Sequence, residues 1–279
     1  MPLTPSETTQ LLSQLGHHPK KKLGQNFLTD GNIVDKSIEM ADLPDGIPVV
    51  EVGPGLGTLT RKLLENGHAV HAIEIDKTLF ANLEKSLESF VKNKKLTLTH
   101  GDAVKLPLAS LPKEQADYAV VANLPYAISS AWLESLLATG KLPRRMVLML
   151  QREAIERMWA ECGSKNYSAL SIFLNAAFRH HKSHPVSRRC FHPVPSVDSV
   201  LARMDLLPEP FLFSATHRAL IRRIFTRRRK QIGAIAKQED DATRSGILNW
   251  LDENGLAQTL RPEQIEPEAW VGLTARANG

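Results

Sequence analysis

Short apolar runs recur along the first part of the chain, at 48–53, 69–75, 95–100, 118–123 and 146–151. They are rich in Val, Ile, Leu and Ala, the pattern of strands buried on both faces of a parallel sheet. Between them, segments 59–66, 77–91, 129–138 and 152–161 space their apolar residues at intervals of three and four, as helices do. Strand and helix in alternation predict an α/β fold with a doubly wound, Rossmann-like sheet. Two later runs, 178–186 and 199–206, are candidate edge strands. Pro208-Glu209-Pro210 then breaks the pattern, and from about Ser214 onward the chain reads as helices joined by polar turns. The predicted organisation is a loosely held N-terminal extension over 1–20, with a short helix around 6–15, an α/β domain over 21–207, and a small all-helical domain over 208–279.

A chain of 279 residues can bury a full core and still hold a second small domain. No apolar run approaches the roughly 20 residues of a membrane-spanning helix. Residues 1–16 lack a long apolar segment of secretory type, so a cytoplasmic protein without a membrane partner is expected. Cys162 and Cys190 stand apart from any Cys or His spacing that would hold zinc, so free thiols and no metal are expected.

The formal net charge of +5 fits a polyanionic partner. Segment 217–237 reads as one helix with an apolar stripe of Leu220, Ile221, Ile224, Phe225, Ile232 and Ile235. Arg218, Arg222, Arg223, Arg227, Arg229 and Lys230 would project outward with no acid among them, a density that repels itself unless phosphates neutralise it. Arg228 lies near the stripe, and Arg144, Arg145, Arg188 and Arg189 are expected to add charge near the candidate substrate loops 123–126 and 191–199. A merely solvated basic face is the competing reading.

Candidate chemistry gathers at the ends of the predicted strands. Glu51-Val52-Gly53-Pro54-Gly55-Leu56-Gly57 closes the first strand and opens a helix, where a doubly wound sheet binds its ligand. The dinucleotide fingerprint needs its third glycine three places after the second, but Thr58 stands there, so the spacing suits S-adenosylmethionine better than NAD. Glu74, ending the second strand, is placed to accept two ribose hydroxyls, which either cofactor offers. Asp102, ending the third, is placed to accept from an adenine amino group, and Glu51 to lie near a sulfonium. At the end of the fourth, Asn123-Leu124-Pro125-Tyr126 joins an amide to an aromatic ring. The Asn123 side-chain oxygen and the Leu124 carbonyl suit the two hydrogens of an exocyclic amine, Pro125 stiffens the loop, and Tyr126 suits stacking on a base. A plain turn with Tyr126 in the core is the alternative.

With these motifs assembled, the chain resembles the ribosomal RNA adenine N6,N6-dimethyltransferase family, in its KsgA/RsmA branch, along nearly its whole length. Lys21-Lys22-Leu23-Gly24-Gln25-Asn26-Phe27-Leu28 looks like the family's N-terminal motif, and Phe191-His192-Pro193-Val194-Pro195-Ser196-Val197-Asp198-Ser199 like its second substrate loop. The resemblance implies a class I methyltransferase fold using S-adenosyl-L-methionine, held by Asn26, Leu28, Gly53, Gly55, Glu74, Asp102 and Asn123. It implies a catalytic group of Asn123, Leu124, Pro125, Tyr126 and Phe191, with Tyr126 and Phe191 holding a flipped adenine between two rings. It further implies RNA contacts by Arg222, Arg223, Arg227, Arg229 and Lys230. The implied substrate is small-subunit rRNA within an immature 30S subunit, and the implied state a monomer. Rival readings are a large-subunit rRNA methylase conferring antibiotic resistance, a DNA adenine methylase, a non-catalytic assembly or transcription factor, and an NAD enzyme.

Overall fold

The computed structural model describes residues 3–273. The chain separates into two compact units, Met1–Ile155 with His180–Leu206, and Glu156–Arg179 with Leu207–Gly279. The second unit therefore takes in 156–179, a stretch that the spacing of apolar runs assigns to the α/β half. The helices are α1 (Pro5–Gln14), α2 (Gly31–Ala41), α3 (Thr58–Glu65), α4 (Lys77–Ser86), α5 (Glu88–Lys92), α6 (Ser129–Ala138), α7 (Arg152–Met158), α8 (Ala169–Asn175), α9 (Ala215–Phe225), α10 (Ile232–Ala236), α11 (Asp241–Glu253) and α12 (Pro267–Gly272). The strands are β1 (Phe27–Leu28), β2 (Val49–Val52), β3 (Val70–Glu74), β4 (Leu96–His100), β5 (Ala119–Asn123), β6 (Arg145–Gln151), β7 (Phe178–Val186), β8 (Phe191–His192) and β9 (Ser199–Leu206).

Seven strands form one sheet in the order β4-β3-β2-β5-β6-β9-β7. The pairs β2–β3, β3–β4, β2–β5 and β5–β6 are parallel and β9 runs antiparallel to β6, so the carboxyl ends of β2, β3, β4 and β5 open on the same side. Apolar residues of β2, β5 and β6 are buried to the last atom or nearly so, as expected of central strands covered on both faces.

Two expectations are corrected, and one helix has no counterpart among them. The short helix expected around 6–15 is present as α1, but its stretch is tied down: a capping box pairs Thr4 with Glu7, and Leu12 packs with Phe27 and Leu79. Helix α2 is not among the expected helices; it buries Ile33, Val34, Met40 and Ala41, and Ser37 in the same stripe bonds back to the Ile33 carbonyl. Segment 217–237 is two helices rather than one. Helix α9 ends at Phe225, and the N–H groups of Ile232 and Gly233 donate to the carbonyls of Leu260 and Gln258 instead of continuing the helix. A Cβ on Gly233 would lie 2.9 Å from that of Gln258, so this close approach needs a glycine.

The second unit is held by a chain of aromatic rings. Trp270 lies 5.0 Å from Trp250 and 5.5 Å from Phe225, which meets Tyr167 edge-on at 5.7 Å. The indole of Trp250 donates to the Ala269 carbonyl and the Tyr167 hydroxyl to that of Ile265. Trp270 is fully buried. Trp270→Ala is expected to cost about 3–5 kcal/mol, read as a lower denaturant midpoint of tryptophan fluorescence, and an unchanged midpoint would contradict this packing.

Candidate active site

The parallel strand ends frame an open cleft lined on one side by residues 22–28. It brings together Asn26, Leu28, Gly53, Gly55, Glu74, Asp102 and the whole of Asn123-Leu124-Pro125-Tyr126. The covering segment is tied down by Lys20, whose ammonium lies 2.6 Å from Asp76, and by His17, which bonds Gln25. Asp76 also caps α4. Burial works to raise its carboxyl, but Lys20, the Leu79 N–H and His17 outweigh that and hold it below the usual range.

The carboxylates are graded by their surroundings. Glu74 accepts from the Gly55 N–H at 3.1 Å and the Asp76 N–H at 2.9 Å, which leaves each oxygen capacity for one more bond. Burial pushes its carboxyl up. Asp102 spends one oxygen on the Val104 N–H. Glu51 is only 2% exposed, and its Oε2 has no partner. Burial, with the charge of Glu74 adding to it, pushes Glu51 up to about 8. A buried carboxyl on the cleft wall with one oxygen unpartnered suits a cationic ligand group. Ile75, which follows Glu74, is 48% exposed at the cleft and offers apolar contact to a flat ring.

The loop 123–126 is fixed from two sides. Asn123 donates from Nδ2 to the Asn26 carbonyl at 3.0 Å, which orients the amide and leaves Oδ1 without a partner among the described residues. Tyr126 pairs its hydroxyl with Ser199 at 2.6 Å, and burial raises its phenol. Gly53 has φ +68°, and a Cβ there would lie 2.9 Å from the Pro125 ring. Gly24 has φ +64°, and a Cβ there would lie 3.3 Å from the Tyr126 nitrogen. Both glycines are required by close approach as well as by backbone conformation.

A family profile described as ribosomal RNA adenine dimethylase matches residues 16–271. The chain belongs to the ribosomal RNA adenine dimethylase family. Among its relatives, "Ribosomal RNA small subunit methyltransferase A" of Opitutus terrae is 48% identical over 99% of both chains. The protein of the same name from Bordetella pertussis is 36% identical, over 92% of this chain and 93% of that one. Among solved structures, a dimethyladenosine transferase from Plasmodium falciparum superposes with a TM-score of 0.70 at 28% identity, covering 88% of this chain and 95% of that one. The 23S rRNA methyltransferase ErmE gives 0.63 at 27%, covering 91% and 100%. The α/β sheet is thus that of a class I methyltransferase, and the protein is an enzyme of this adenine dimethylase family.

Several of the remaining predicted residues of the dimethylase are placed differently from expectation. Phe191 does not line the cleft. It pairs in register with Leu28 and is 2% exposed within the core cluster that holds Val186 and Met149, so no two-ring sandwich with Tyr126 is formed in this structure. Arg145 lies at the start of β6, opposite Ala119, at the far end of the sheet from Asn123, and is bound by Asp205 at 2.6 Å. Arg144 there pairs with Asp117. In the second unit the basic residues are not free of acids. Glu239, its side chain 6% exposed, takes Arg223 at 2.6 Å and Arg227 at 3.7 Å. Arg222 lies over the Phe173 ring. Arg223, Arg229 and Lys230 are exposed, the last two in the turn between α9 and α10 rather than on a helix. Arg228 bonds the Tyr167 carbonyl.

Among the described residues no group of His, Cys, Asp or Glu is arranged to hold a metal, and no helix is long and apolar enough to cross a membrane. Both cysteines are free, and burial raises both thiols to about 11.

Proposed function

We propose that this protein uses S-adenosyl-L-methionine to dimethylate N6 of two adjacent adenosines near the 3′ end of 16S rRNA, acting in the cytoplasm on an immature small subunit. The observation that carries the chemistry is the Asn123 amide, whose Nδ2 is committed to the Asn26 carbonyl while Oδ1 is left to the cleft. The bound sulfonium supplies an electrophilic methyl group. The residues around it supply alignment. Gly53 and Gly55 present bare backbone to the ligand, Glu74 and Asp102 keep acceptor capacity for ribose and adenine, and Glu51 offers a carboxylate to the cationic end.

The N6 lone pair of adenine is delocalised into its ring. Accepting its two hydrogens at Asn123 Oδ1 and the Leu124 carbonyl turns that pair out of the ring and toward the methyl group. Tyr126, held by Ser199, offers a ring face to the purine and to the positive charge that grows on nitrogen. The N6 proton is lost to water after transfer, so no side chain need act as a strong base. Repeating the step on the monomethylated amine gives the dimethyl product.

The 48% identity to a small-subunit enzyme favours this substrate over large-subunit rRNA, although the ErmE fold is also similar. The test is mass spectrometry of both rRNAs from cells lacking the gene, before and after its restoration. Loss and recovery of dimethyladenosine in 16S rRNA supports the proposal, whereas a change confined to 23S rRNA overturns it.

A further inference from the structure

Strand β7 ends the sheet and carries Arg179-His180-His181-Lys182-Ser183-His184. Residues 179–183 are all exposed, so both faces of the strand, and not only its outer edge, meet solvent. No acid occurs between Phe178 and Val197. The carboxylates nearest the strand are already committed to other cations. Glu39 on α2 is bound by Lys36 at 2.8 Å, and that pairing holds it below the usual range, with the charges of Lys182 and His184 adding to it. Asp205 on β9, 3.5 Å from His181, is bound by Arg145 and Arg203.

Lys182 is therefore surplus positive charge, and so are Arg188 and Arg189 in the turn that follows. Among the described residues none of the three side-chain cations pairs with a carboxylate, although the Arg188 backbone N–H donates to the Asp198 carboxylate at 2.9 Å. Arg188 gives its guanidinium to the Ser196 carbonyl. At ~3.3 Å per extended residue the track from Lys182 to Arg188 spans at most about 20 Å. It leads directly into the loop 191–199, whose last residue, Ser199, holds Tyr126.

We propose that the β7 edge and the Arg188–Arg189 turn form a docking ridge for the sugar–phosphate backbone of the RNA whose adenosine enters the cleft. The ridge rests on the functional reading above and adds to it a second phosphate-binding surface, in the α/β unit itself. Phosphate contacts of this kind position the substrate without reading its sequence. Charge on an edge strand also guards against strand addition by another chain. Reversing the sign of the charge keeps that protection and removes only the attraction for phosphate, so the two roles separate.

The experiment compares wild type with K182E/R189E, with the conservative K182R/R189K, and with K85E/K95E near the opposite edge of the sheet. Methylation of small-subunit particles and binding of a 16S rRNA fragment are followed across a salt series, with S-adenosylmethionine affinity as the control. For K182E/R189E, KM for the particle is expected to rise about tenfold with kcat within about twofold, and the log–log salt slope to fall by about 1.4–1.8, from ~0.7–0.9 for each of two lost phosphate contacts. Cofactor affinity should not change, and K182R/R189K should behave as wild type. An unchanged KM and slope in K182E/R189E, or an equal loss in K85E/K95E, would overturn the ridge. Wild-type protein that binds the fragment but never methylates it would instead overturn the functional reading, and the binding comparison would still decide the ridge.

Discussion

Asn123→Ala is expected to lower kcat for rRNA methylation by about 10²–10³ while S-adenosylmethionine binding stays within a few-fold of wild type. Removing one preorganised hydrogen-bond partner of a reacting centre typically has an effect of this size. The loss falls on kcat because Oδ1 engages the amine only when a base is in place, while the carboxyls and glycines that would hold the cofactor are untouched. Asn123→Asp should not rescue, since it exchanges the donor to the Asn26 carbonyl for an oxygen that repels it. Tyr126→Phe keeps the ring and loses only the Ser199 bond, so a change below about tenfold is expected if stacking is its main role. Single-turnover methylation with parallel calorimetric titration of the cofactor gives both numbers. Wild-type turnover in Asn123→Ala would discard the amide chemistry.

Glu51→Gln is expected to make the cofactor-free protein more stable at pH 8 and a poorer binder. The Glu51 carboxyl is raised from an ordinary 4.5 to about 8, chiefly by burial. Because the folded value lies above the unfolded one, folding takes up a proton between these two limits. The stability this group lends is therefore complete below about pH 4.5 and is lost as pH rises through 8. Glutamine has no such dependence, so the stability gain of the variant should be near zero at pH 4.5 and on the order of 1–3 kcal/mol at pH 8.5. A cationic ligand repays the cost of ionising Glu51. The wild-type advantage in S-adenosylmethionine affinity should accordingly grow toward about 10–100-fold as pH rises through 8. Melting curves and titrations of both proteins across this range test the pair of effects, and parallel pH profiles would refute them.

The parts of the fold written in apolar pattern were readable. The central strands around Val50, Ile73, Val121 and Leu148 are continuous buried runs, and no other element accounts for them. The glycine turn after β2 and the acids ending β3 and following β4 point to a cleft for the same reason, since each lies at a strand end. What resisted reading depends on residues far apart in the chain. The break between α9 and α10 is made by Gln258 and Leu260, and the neutralisation of Arg223 by Glu239 on another turn. The burial of Phe191 follows from its pairing with Leu28, 163 positions earlier by subtraction of their numbers. Glu51 was visible as an acid, but the burial that raises its carboxyl is a property of the packed interior.

Pro125 and Tyr126 rest against two stretches of naked main chain, at Gly53 and Gly24, one from the ligand turn and one from the N-terminal strap. The three segments therefore lean on one another, and a methyl group added at either glycine would displace the 123–126 loop although neither glycine belongs to it.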